Sequence, residues 1–522
     1  MAITDFFDRG WRAYPERTAF VVDERTFTYR EIGELSCRVA NALLASGVRP
    51  EAKGAVLASN DPVGWACVLG IWRAGLAWVP VNPASPSAEI GRLLDGFDCE
   101  VLFCHEALLP LVGPLRADLT RLRTVVSLGE DLHMASTVDA VTLDDFLKEA
   151  SADFPDHVPK PDAVAGVMPT GGTTGAPKGV MNTHRGLGVS AVHQMLAASY
   201  EADEPIVNLL AAPMTHTAGI LTLPCTARGG TVVVTTRPDP LRLLDLIEKH
   251  RVTELFLPPT VIYRLLETPG IEKRDFSSLK YLMYGSAPMS TERLRRAIEV
   301  FGPVMFQGYG QTEAPSGIAF LRPEEHLTTG DDSDFRLSAA GRPAPLVQVE
   351  VLDGEGRKLP SGESGEICVR GDLVMKGYYK DPARTAETIV DGWLHTGDIG
   401  FLDDEGFLHI TDRKKDMIIS GGFNVYPSEV EQVVWKHPAV QDCAVIGIPH
   451  QDWGEAVTAV VELNDGEELT ETDLIAYCRP RLGGIKTPKR VVFVPELPRS
   501  ANGKVLKKDV REPFWRDHQR QI

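Results

Sequence analysis

The spacing of apolar residues predicts an alternation of helices and strands in the first third of the chain. Residues 32–43 carry apolar side chains at helical spacing after a short strand-like start, which predicts a core-facing helix. Residues 52–59, 64–83 and 99–104 then alternate short β-rich runs with helical patterns. This alternation is typical of βαβ units around a parallel sheet.

The middle of the chain continues the pattern with strands that end in turns. Residues 252–266 read as a strand, a turn and a helix, residues 279–290 as a strand ending in a Gly-Ser-Ala-Pro turn, and residues 304–317 as a strand ending in a polar turn. Open α/β sheets bind ligands at the carboxyl ends of their strands, so these turns are candidate site positions. Residues 341–379 carry short β-rich runs between glycine turns, which predicts a distorted β subdomain.

The sharpest change in composition begins at the charged run DRKKD, residues 412–416. We place a domain boundary there, giving an N-terminal domain of residues 1–411 and a C-terminal domain of residues 412–522. In the second domain, Ser428 and Glu431 are predicted to form a capping box at the start of a helix. The predicted fold class is α/β, with two βαβ-type subdomains and the distorted β subdomain followed by a small α+β domain.

Composition and charge narrow the classes of partner. The chain has 522 residues with 43% hydrophobic content and a formal net charge of -18, which indicates a globular, multidomain protein and argues against nucleic acid or an anionic membrane as a general partner. Its eight cysteines are scattered without a CxxC pair, as expected of thiols in a reducing compartment. Asp5 and Asp8 interrupt the place of a signal peptide and no segment has the length of a membrane span, so we expect a soluble, cytoplasmic protein.

The run TGGTTGAPKG, residues 170–179, is the strongest candidate for a phosphate-binding loop. Its glycines let backbone amides approach an anion, and its threonines and Lys178 add donors and a positive charge. The order predicted around it is strand, loop and then a helix over residues 183–199. It is not a Walker A loop, because Lys178 precedes Gly179 and not Ser or Thr. A flexible surface turn is the alternative interpretation.

Seven motifs together resemble, in sequence and in order, the signature blocks of the acyl-adenylate-forming superfamily. That superfamily includes acyl-CoA synthetases, the adenylation domains of peptide synthetases and firefly luciferase. The resemblance covers nearly the whole chain, and the C-terminal blocks are most similar to those of stand-alone carboxylate:CoA ligases. The motifs are TGGTTGAPKG, PMTH, YGQTE, GEICVRG, DGWLHTGD, ITDRKKDMIISGGFNVYPSEVE and PRSANGK.

The resemblance implies an ATP-dependent carboxylate:CoA ligase that works in two half-reactions, with Mg²⁺ and coenzyme A, on a fatty, aryl or polycyclic acid. One alternative is a stand-alone adenylating enzyme that loads a carrier protein; the chain ends soon after Lys504, so we expect no fused carrier domain. Another is a ligand-binding pseudoenzyme, suggested by changes in the glycine loop. An oxygenase similar to luciferase is the remotest alternative. A homodimer is left open.

The resemblance also implies roles for individual residues. Catalysis would involve Lys504 at the transferring phosphoryl group, Thr312 at the α-phosphate, Glu313 as the Mg²⁺ ligand and His216 near the acyl carboxylate. The implied ATP- and AMP-binding residues are Thr170, Gly172, Thr173, Thr174, Gly175, Lys178, Ser286, Ala287, Pro288, Tyr309, Asp398 and Arg413. Of these, Asp398 is expected in a turn, where it and Arg413 would bind the ribose hydroxyls.

A rotation of the small domain between the half-reactions is also implied. Lys415 falls on the hinge position, and Gly421 and Gly422 would leave a tunnel for the pantetheine arm of coenzyme A. The predicted acyl pocket, in which no cation for a second carboxylate is evident, consists of Thr217, Ala218, Gly219, Tyr284, Gly308 and Gly310.

Three departures from the family pattern affect these expectations. Pro169 and Gly171 replace an aromatic residue and a Ser in the glycine loop, which predicts altered ATP affinity. Thr215 replaces the aromatic residue that commonly precedes the His, which predicts a wider acyl pocket. Gly483 and Gly484 predict a looser loop near Lys486 in the small domain.

Overall fold

The computed structural model describes residues 1–49, 51–129, 132–170, 178–215, 217–236, 239–327, 333–499 and 505–516. Over these ranges, none of the helices is long and apolar enough to cross a membrane. The described chain forms four sheets: one of nine strands, one of eight and two of five.

The first segment consists of short strands alternating with helices, as predicted. Its helices and strands are α1 (Asp5–Ala13), β1 (Thr18–Val22), β2 (Arg25–Thr28), α2 (Tyr29–Ala45), β3 (Lys53–Leu57), α3 (Pro62–Arg73), β4 (Ala77–Pro80), α4 (Ser87–Gly96), β5 (Cys99–Cys104), α5 (Leu109–Val112), β6 (Thr124–Ser127), α6 (Leu132–Ser136), β7 (Val141–Thr142) and α7 (Leu143–Leu147).

The second segment supplies most of the central strands of the largest sheet. Its elements are β8 (Val164–Thr170), β9 (Lys178–Thr183), α8 (His184–Ala197), β10 (Val207–Leu210), α9 (Thr217–Ile220), α10 (Leu223–Ala227), β11 (Thr231–Val234), α11 (Pro240–His250), β12 (Glu254–Leu257), α12 (Pro259–Leu266), β13 (Tyr281–Gly285) and α13 (Thr291–Phe301).

The third segment is rich in strands. Its elements are β14 (Met305–Gln311), β15 (Ala314–Leu321), α14 (Ser333–Leu337), β16 (Arg342–Pro343), β17 (Gln348–Leu352), β18 (Gly365–Arg370), β19 (Gly377–Tyr378), α15 (Pro382–Thr388), β20 (Ile389–Val390), β21 (Trp393–Leu402) and β22 (Leu408–Arg413).

The last segment forms the small α+β unit. Its elements are β23 (Ile418–Ser420), β24 (Phe423–Val425), α16 (Pro427–Val434), β25 (Val440–His450), β26 (Gly454–Leu463), α17 (Glu471–Lys486), β27 (Arg490–Phe493) and α18 (Lys507–Trp515).

The predicted N-terminal helix and βαβ units are confirmed. Helix α2 begins with a capping box, in which the Thr28 hydroxyl accepts from the Glu31 amide and the Glu31 carboxylate accepts from the Thr28 amide. Strands β3, β4, β5 and β6 pair in parallel within the eight-stranded sheet, whose order is β19-β9-β8-β4-β3-β5-β6-β7. Trp65, Trp72 and Trp78 are fully buried and meet edge to face in the core between α3 and this sheet.

The nine-stranded sheet positions the turns that the sequence singled out. Its order is β16-β15-β14-β13-β12-β10-β11-β1-β2, and β10, β11, β12, β13 and β14 pair in parallel. The carboxyl ends of β13 and β14 therefore lie at the same edge of the sheet. The distorted β subdomain is the five-stranded antiparallel sheet of β17, β18, β20, β21 and β22.

Three local predictions were wrong. The helix predicted over residues 183–199 is present as α8, but the predicted order was wrong, because strand β9, which pairs with β8 as a hairpin, lies between the glycine loop and that helix. Asp398 lies within strand β21 and not in a turn. Ser428 and Glu431 form no capping box: the Glu431 carboxylate is buried, where it accepts from the Val445 amide and pairs with Lys507.

The boundary between the large and small parts differs by a few residues from the one placed at residue 412. Strand β22 extends to Arg413 and pairs with β21, so Asp412 and Arg413 belong to the distorted sheet. The chain leaves that sheet in the turn that contains the exposed Lys415 and enters the small unit at β23.

Candidate active site

A buried carboxylate lies where the distorted sheet meets the carboxyl edge of the nine-stranded sheet. Asp398 is 3% exposed, and Tyr309 Oη donates to Asp398 Oδ2 over 2.6 Å. Arg413 Nε lies 2.6 Å from Asp398 Oδ1. Asp398 and Arg413 are directly opposite each other in the β21–β22 ladder, so their side chains extend from the same face. The structure thus brings together three predicted residues from two sheets.

The protonation of Tyr309 follows from this burial. Burial, followed by the neighbouring charge of Asp398, raises the pKa of Tyr309 well above its ordinary value. Tyr309 therefore remains a hydrogen-bond donor to the carboxylate throughout the physiological range.

The turn after β13 lies beside Tyr309. Ser286 is the first residue of this turn and has a φ of 68°, and its side chain and that of Pro288 are exposed, whereas Ala287 is half-buried. Gly285 pairs with Gly308 across β13 and β14, and a Cβ on Gly285 would lie 2.5 Å from the Gly308 carbonyl oxygen. Close backbone packing therefore explains Gly285, and it places Ser286, Ala287 and Pro288 next to the strand that carries Tyr309.

A second polar group surrounds the turn between β14 and β15. Tyr378 Oη donates to Glu313 Oε1 over 2.8 Å, and the Lys178 ammonium lies 5.4 Å from the centre of the Tyr378 ring. Asn182 Nδ2 donates to the backbone oxygen of Thr312 over 3.2 Å. This group therefore joins the hairpin after the glycine loop to the turn that carries Thr312 and Glu313.

Lys178 lies among charged groups of both signs. Partial burial lowers the pKa of Lys178, and the positive charges of Arg384 and Lys415 lower it further, whereas Glu313 raises it. Asp381 also raises the pKa of Lys178, so this group combines the cations of Lys178, Arg384 and Lys415 with two carboxylates. The sequence reasoning missed Asn182, Tyr378 and Arg384; their only signal was their position beside residues that match the family motifs.

Several predicted residues lie outside the described ranges. Thr170 and Lys178 pair with each other at the ends of β8 and β9, so they bracket the glycine loop. Only the backbone of Thr217 is described. The predicted residues that lie outside the described ranges are Gly172, Thr173, Thr174, Gly175, His216 and Lys504.

Two adjoining cavities lie on one face of the nine-stranded sheet. Their volumes are about 20 Å³ and about 40 Å³, which is room for a few water molecules. Ala218 is one of the residues that line the first cavity. The residues shared by both cavities are Asn208, Leu221 and Phe256.

Other residues predicted for the acyl pocket have packing explanations. Tyr284 lines neither cavity: it is 1% exposed, and its hydroxyl contacts Gln307 and His326. A Cβ on Gly219 would lie 2.4 Å from the Trp65 ring, and one on Gly310 would lie 2.9 Å from the Ser316 amide nitrogen. These glycines allow close approach of neighbouring groups. A Cβ on Gly308 would make only ordinary contacts, the nearest at 3.5 Å from Phe320.

The joint between the large and small parts is polar. The Asp412 carboxylate accepts from the Ser428 amide over 2.8 Å, and Ser428 Oγ donates to the Thr411 backbone oxygen. Lys436 forms an ion pair with Asp334 that is largely exposed. The Ser428 amide therefore donates to the Asp412 carboxylate, and not to that of Glu431 as the predicted capping box required.

Gly421 and Gly422 form the two-residue turn between β23 and β24. Both have positive φ, 60° and 80°, as a type I′ hairpin turn requires. A Cβ on Gly422 would meet no atom within 4 Å, and the neighbouring Phe423 is 56% exposed. The turn and its flanking strand therefore present an open, partly apolar surface.

Comparison with known proteins identifies the family. Residues 7–379 match the model of the AMP-binding enzymes, and residues 429–504 match that of the AMP-binding enzyme C-terminal domain. The chain is 37% identical to a feruloyl-CoA synthase from an Amycolatopsis species, over 97% of this chain and 98% of that one. It is 34% identical to a fatty acid–[acyl-carrier-protein] ligase from Streptomyces coeruleorubidus, over 97% and 95%.

A solved structure of similar fold agrees with this assignment. The amide bond synthetase from Marinactinospora thermotolerans superimposes with a TM-score of 0.86 at 32% identity, covering 98% of this chain and 100% of that one. The predicted superfamily and the α/β fold class are therefore confirmed. The chain belongs to the AMP-binding enzyme family.

Proposed function

We propose that this protein is an ATP-dependent carboxylate:CoA ligase that forms AMP. The observation that carries the proposal is the buried group of Tyr309, Asp398 and Arg413 at the carboxyl edge of the large sheet, in a chain of this family. The relatives support the acid–thiol ligase class, since feruloyl-CoA synthase matches the chain almost end to end.

The chemistry explains why such a site needs cations and oriented donors. In the first half-reaction, a carboxylate oxygen forms a bond to the α-phosphorus of ATP, and the bond to the pyrophosphate oxygen breaks. In the second, the sulfur of coenzyme A bonds to the acyl carbon and AMP departs. Both reactants of the first step are anions, so catalysis depends on neutralising charge at the phosphates. Lys178, a half-buried cation at the start of β9, suits that task.

Asp398 and Arg413 would bind the ribose, and Tyr309 with the turn of Ser286, Ala287 and Pro288 would hold the adenine. Each carboxylate oxygen has two acceptor positions, so Asp398 can accept ribose hydroxyls while it keeps its bonds to Tyr309 and Arg413. The Tyr309 ring supplies a flat face for stacking.

The residues around Glu313 fit a Mg²⁺ ion bound together with ATP. Mg²⁺ keeps several waters and commonly takes one or two protein carboxylates plus substrate phosphates. Glu313 is half-buried, and Tyr378 donates to its Oε1, which leaves Oε2 available to the ion. When bound, Mg²⁺ would supply charge neutralisation at the phosphates. Thr312 adjoins this position and would face the α-phosphate.

The second half-reaction would follow a rotation of the small unit about Lys415. Lys415 is exposed in the turn after β22, and the contacts of the described residues across the joint include hydrogen bonds and an exposed ion pair. Such interfaces separate at low cost. Rotation would withdraw Lys504 and bring the hairpin of Gly421 and Gly422 to the site as one wall of a coenzyme A tunnel.

The experiment that tests this mechanism separates the two half-reactions in a Lys504→Ala variant. We expect acid-dependent pyrophosphate release to fall by at least two orders of magnitude, because a cation at the transferring phosphoryl group is lost. Thioester formation from supplied acyl-adenylate should stay within a few-fold of wild type. Lys508→Ala, at an exposed lysine nearby, is the matched control. Equal loss in both half-reactions would refute the two-conformation mechanism.

The acceptor is the part of the proposal that the relatives leave open. One relative is named for transfer to an acyl-carrier protein and a structural neighbour for amide synthesis. Coenzyme A, a carrier protein and a simple amine should therefore be compared with the same acyl-adenylate. If adenylate accumulates with coenzyme A but a carrier protein is acylated, the CoA ligase proposal is wrong. Binding of ATP without pyrophosphate release across a broad panel of acids would instead indicate a pseudoenzyme.

A further inference from the structure

Strand β19 ties the turn of Thr312 and Glu313 to the hairpin that follows the glycine loop. Tyr378 pairs with Val180 across β19 and β9. Just before β19, the Met375 amide donates to the Glu313 backbone oxygen over 2.8 Å. The backbone of Glu313 is therefore fixed relative to the segment that carries Tyr378, and only the direction of its carboxylate is left to the side-chain contacts.

Tyr378 and Tyr379 each donate a hydrogen bond to a carboxylate. As successive residues of an extended segment, they point in opposite directions. Tyr378 Oη donates to Glu313 Oε1 over 2.8 Å, and Tyr379 Oη donates to Asp98 Oδ2 over 2.7 Å. The chain thus offers two similar bonds, one inside the candidate site and one outside it.

The two carboxylates differ in the cations beside them. Asp98 forms ion pairs with Lys380 over 2.7 Å and with Arg121 over 3.3 Å. Among the described residues, Glu313 forms no such ion pair, and its Oε2 has no hydrogen-bond partner. A half-buried carboxylate with a neutral donor on one oxygen suits a cation that arrives with the ligand.

The ring of Tyr378 makes a separate contact. The Lys178 ammonium lies 5.4 Å from the ring centre, within the range of a cation–π interaction, and Tyr378 is 6% exposed. The hydroxyl therefore contacts the carboxylate, and the ring contacts the lysine. Replacement of Tyr378 by Phe removes the first contact and keeps the second.

We propose that Tyr378 is a positioning residue for Mg²⁺: its hydroxyl fixes the Glu313 carboxylate in one orientation and keeps Oε2 available to the ion that binds with ATP. This inference rests on the proposed function, which assigns the metal to Glu313. Groups that hydrogen-bond to a metal ligand fix its orientation, and their loss commonly lowers metal affinity about 10- to 100-fold. A bond that only stabilises the fold would instead affect all ligands of the site alike.

The test measures how much Mg²⁺ strengthens the binding of α,β-methylene-ATP, which cannot release pyrophosphate. Calorimetric titrations with Mg²⁺ and with EDTA give the ratio of the two affinities for each variant. We expect this ratio to be well above one in wild type and to fall roughly tenfold in Tyr378→Phe, and at least as far in Glu313→Gln. The affinity of Tyr378→Phe for AMP, which lacks the β- and γ-phosphates, should stay close to that of wild type.

Tyr379→Phe is the matched control, because it removes the same kind of bond one residue away. It should keep the wild-type ratio, whatever its effect on the thermal midpoint. A wild-type ratio in Tyr378→Phe, together with a lowered ratio in Glu313→Gln, would overturn the inference and leave the ligase proposal intact. An equal loss of affinity for AMP and for the analogue in Tyr378→Phe would also overturn it, because the hydroxyl would then have a general structural role.

Two other outcomes separate the inference from the proposal on which it rests. A ratio near one in wild type, or an unchanged ratio in Glu313→Gln, would overturn both the inference and the assignment of the metal to Glu313. A lowered ratio in Tyr378→Phe, in a protein that releases no pyrophosphate with any acid, would support the inference while the ligase proposal fails.

Discussion

Tyr309→Phe tests the assignment of the ribose site by removing a single hydroxyl. The bond from Tyr309 Oη to Asp398 Oδ2 is 2.6 Å long, and the two residues are 9% and 3% exposed. Phe retains the ring that would stack on adenine, so adenine contacts should persist. The variant loses the hydrogen bond to the Asp398 carboxylate, which we propose binds the ribose hydroxyls.

The size of the effect can be worked out from this geometry. A hydrogen bond to a charged group contributes about 1.5–3 kcal/mol. Arg413 stays paired with the other oxygen of Asp398 at 2.6 Å, so we expect the lower half of that range, about 1.5–2 kcal/mol. At 1.36 kcal/mol per factor of ten, AMP should bind roughly ten- to thirtyfold more weakly. AMP that lacks both ribose hydroxyls should lose much less, because it does not use Asp398.

The assay is a calorimetric titration of each variant with AMP and with 2′,3′-dideoxy-AMP. The ratio of the two affinities should fall about tenfold in Tyr309→Phe. Tyr29→Phe is a matched control, since Tyr29 is fully buried and its hydroxyl donates to the Gly230 backbone oxygen over 2.6 Å. It should lower the thermal midpoint without changing the ratio. A wild-type ratio in Tyr309→Phe would show that Asp398 does not bind the ribose.

The pH dependence follows from the raised pKa of Tyr309. Because burial and Asp398 raise this pKa above the unfolded value near 10, the contribution of Tyr309 to stability is complete below pH 10 and declines as the pH rises beyond it. The difference in thermal midpoint between wild type and Tyr309→Phe should therefore be constant from pH 6 to 9 and shrink above about pH 10.

Two further variants test the phosphate end of the site. Lys178→Met should lower kcat/KM for ATP at least tenfold. Because the pKa of Lys178 is lowered by burial and by Arg384, wild-type kcat/KM should decline with rising pH before the ordinary pKa of lysine is reached. This decline should be absent in the variant. Gly310→Ala places a Cβ 2.9 Å from the Ser316 amide nitrogen, so it should cost about 1–3 kcal/mol of stability and lower ATP turnover. The Cβ of Gly96→Ala would meet no atom within 4 Å, so this variant should change neither stability nor turnover.

The fold was largely predictable because its elements have strong local signals. The apolar spacing of residues 32–43 and the alternation through residue 104 reflect burial on one helix face and on both faces of a parallel sheet. The helix predicted over residues 183–199 is present as α8, but the strand before it was missed, because residues 178–183 form a strand only through pairing with β8. Asp398 was assigned to a turn because a glycine precedes it. In the structure Gly397 adopts a positive φ inside strand β21, and sequence alone does not distinguish a glycine in a turn from one in an irregular strand.

The residues of the candidate site were predictable where they belong to a sequence motif, and unpredictable where only a contact in the folded chain brings them to the site. Tyr309, Asp398 and Arg413 were selected by resemblance, and the structure brings them together. Tyr378 belongs to none of the motifs, and only the pairing of β19 with β9 brings its hydroxyl to within 2.8 Å of Glu313 Oε1. Tyr284 had an appropriate position at a strand end, but the alternation of side chains turns it away from both cavities.

The proposed rotation requires a joint that is weaker than either body, and the contacts of helix α16 meet that requirement. On one side, Val430 and Val434 are fully buried in the core of the small unit, and each contributes roughly 1.5–3 kcal/mol. On the other side, α16 meets the large domain through the Asp412 carboxylate and through Gln432 Nε2, which donates to the Met289 backbone oxygen over 3.3 Å. Lys436, just after α16, forms a largely exposed pair with Asp334, and exposed pairs contribute about 0–1 kcal/mol. Water can replace the partners of Asp412 and Lys436 but cannot replace the valine contacts. The small unit should therefore separate from the large domain at these polar contacts. Helix α16 should stay packed on its own sheet, so that the small unit moves as one body.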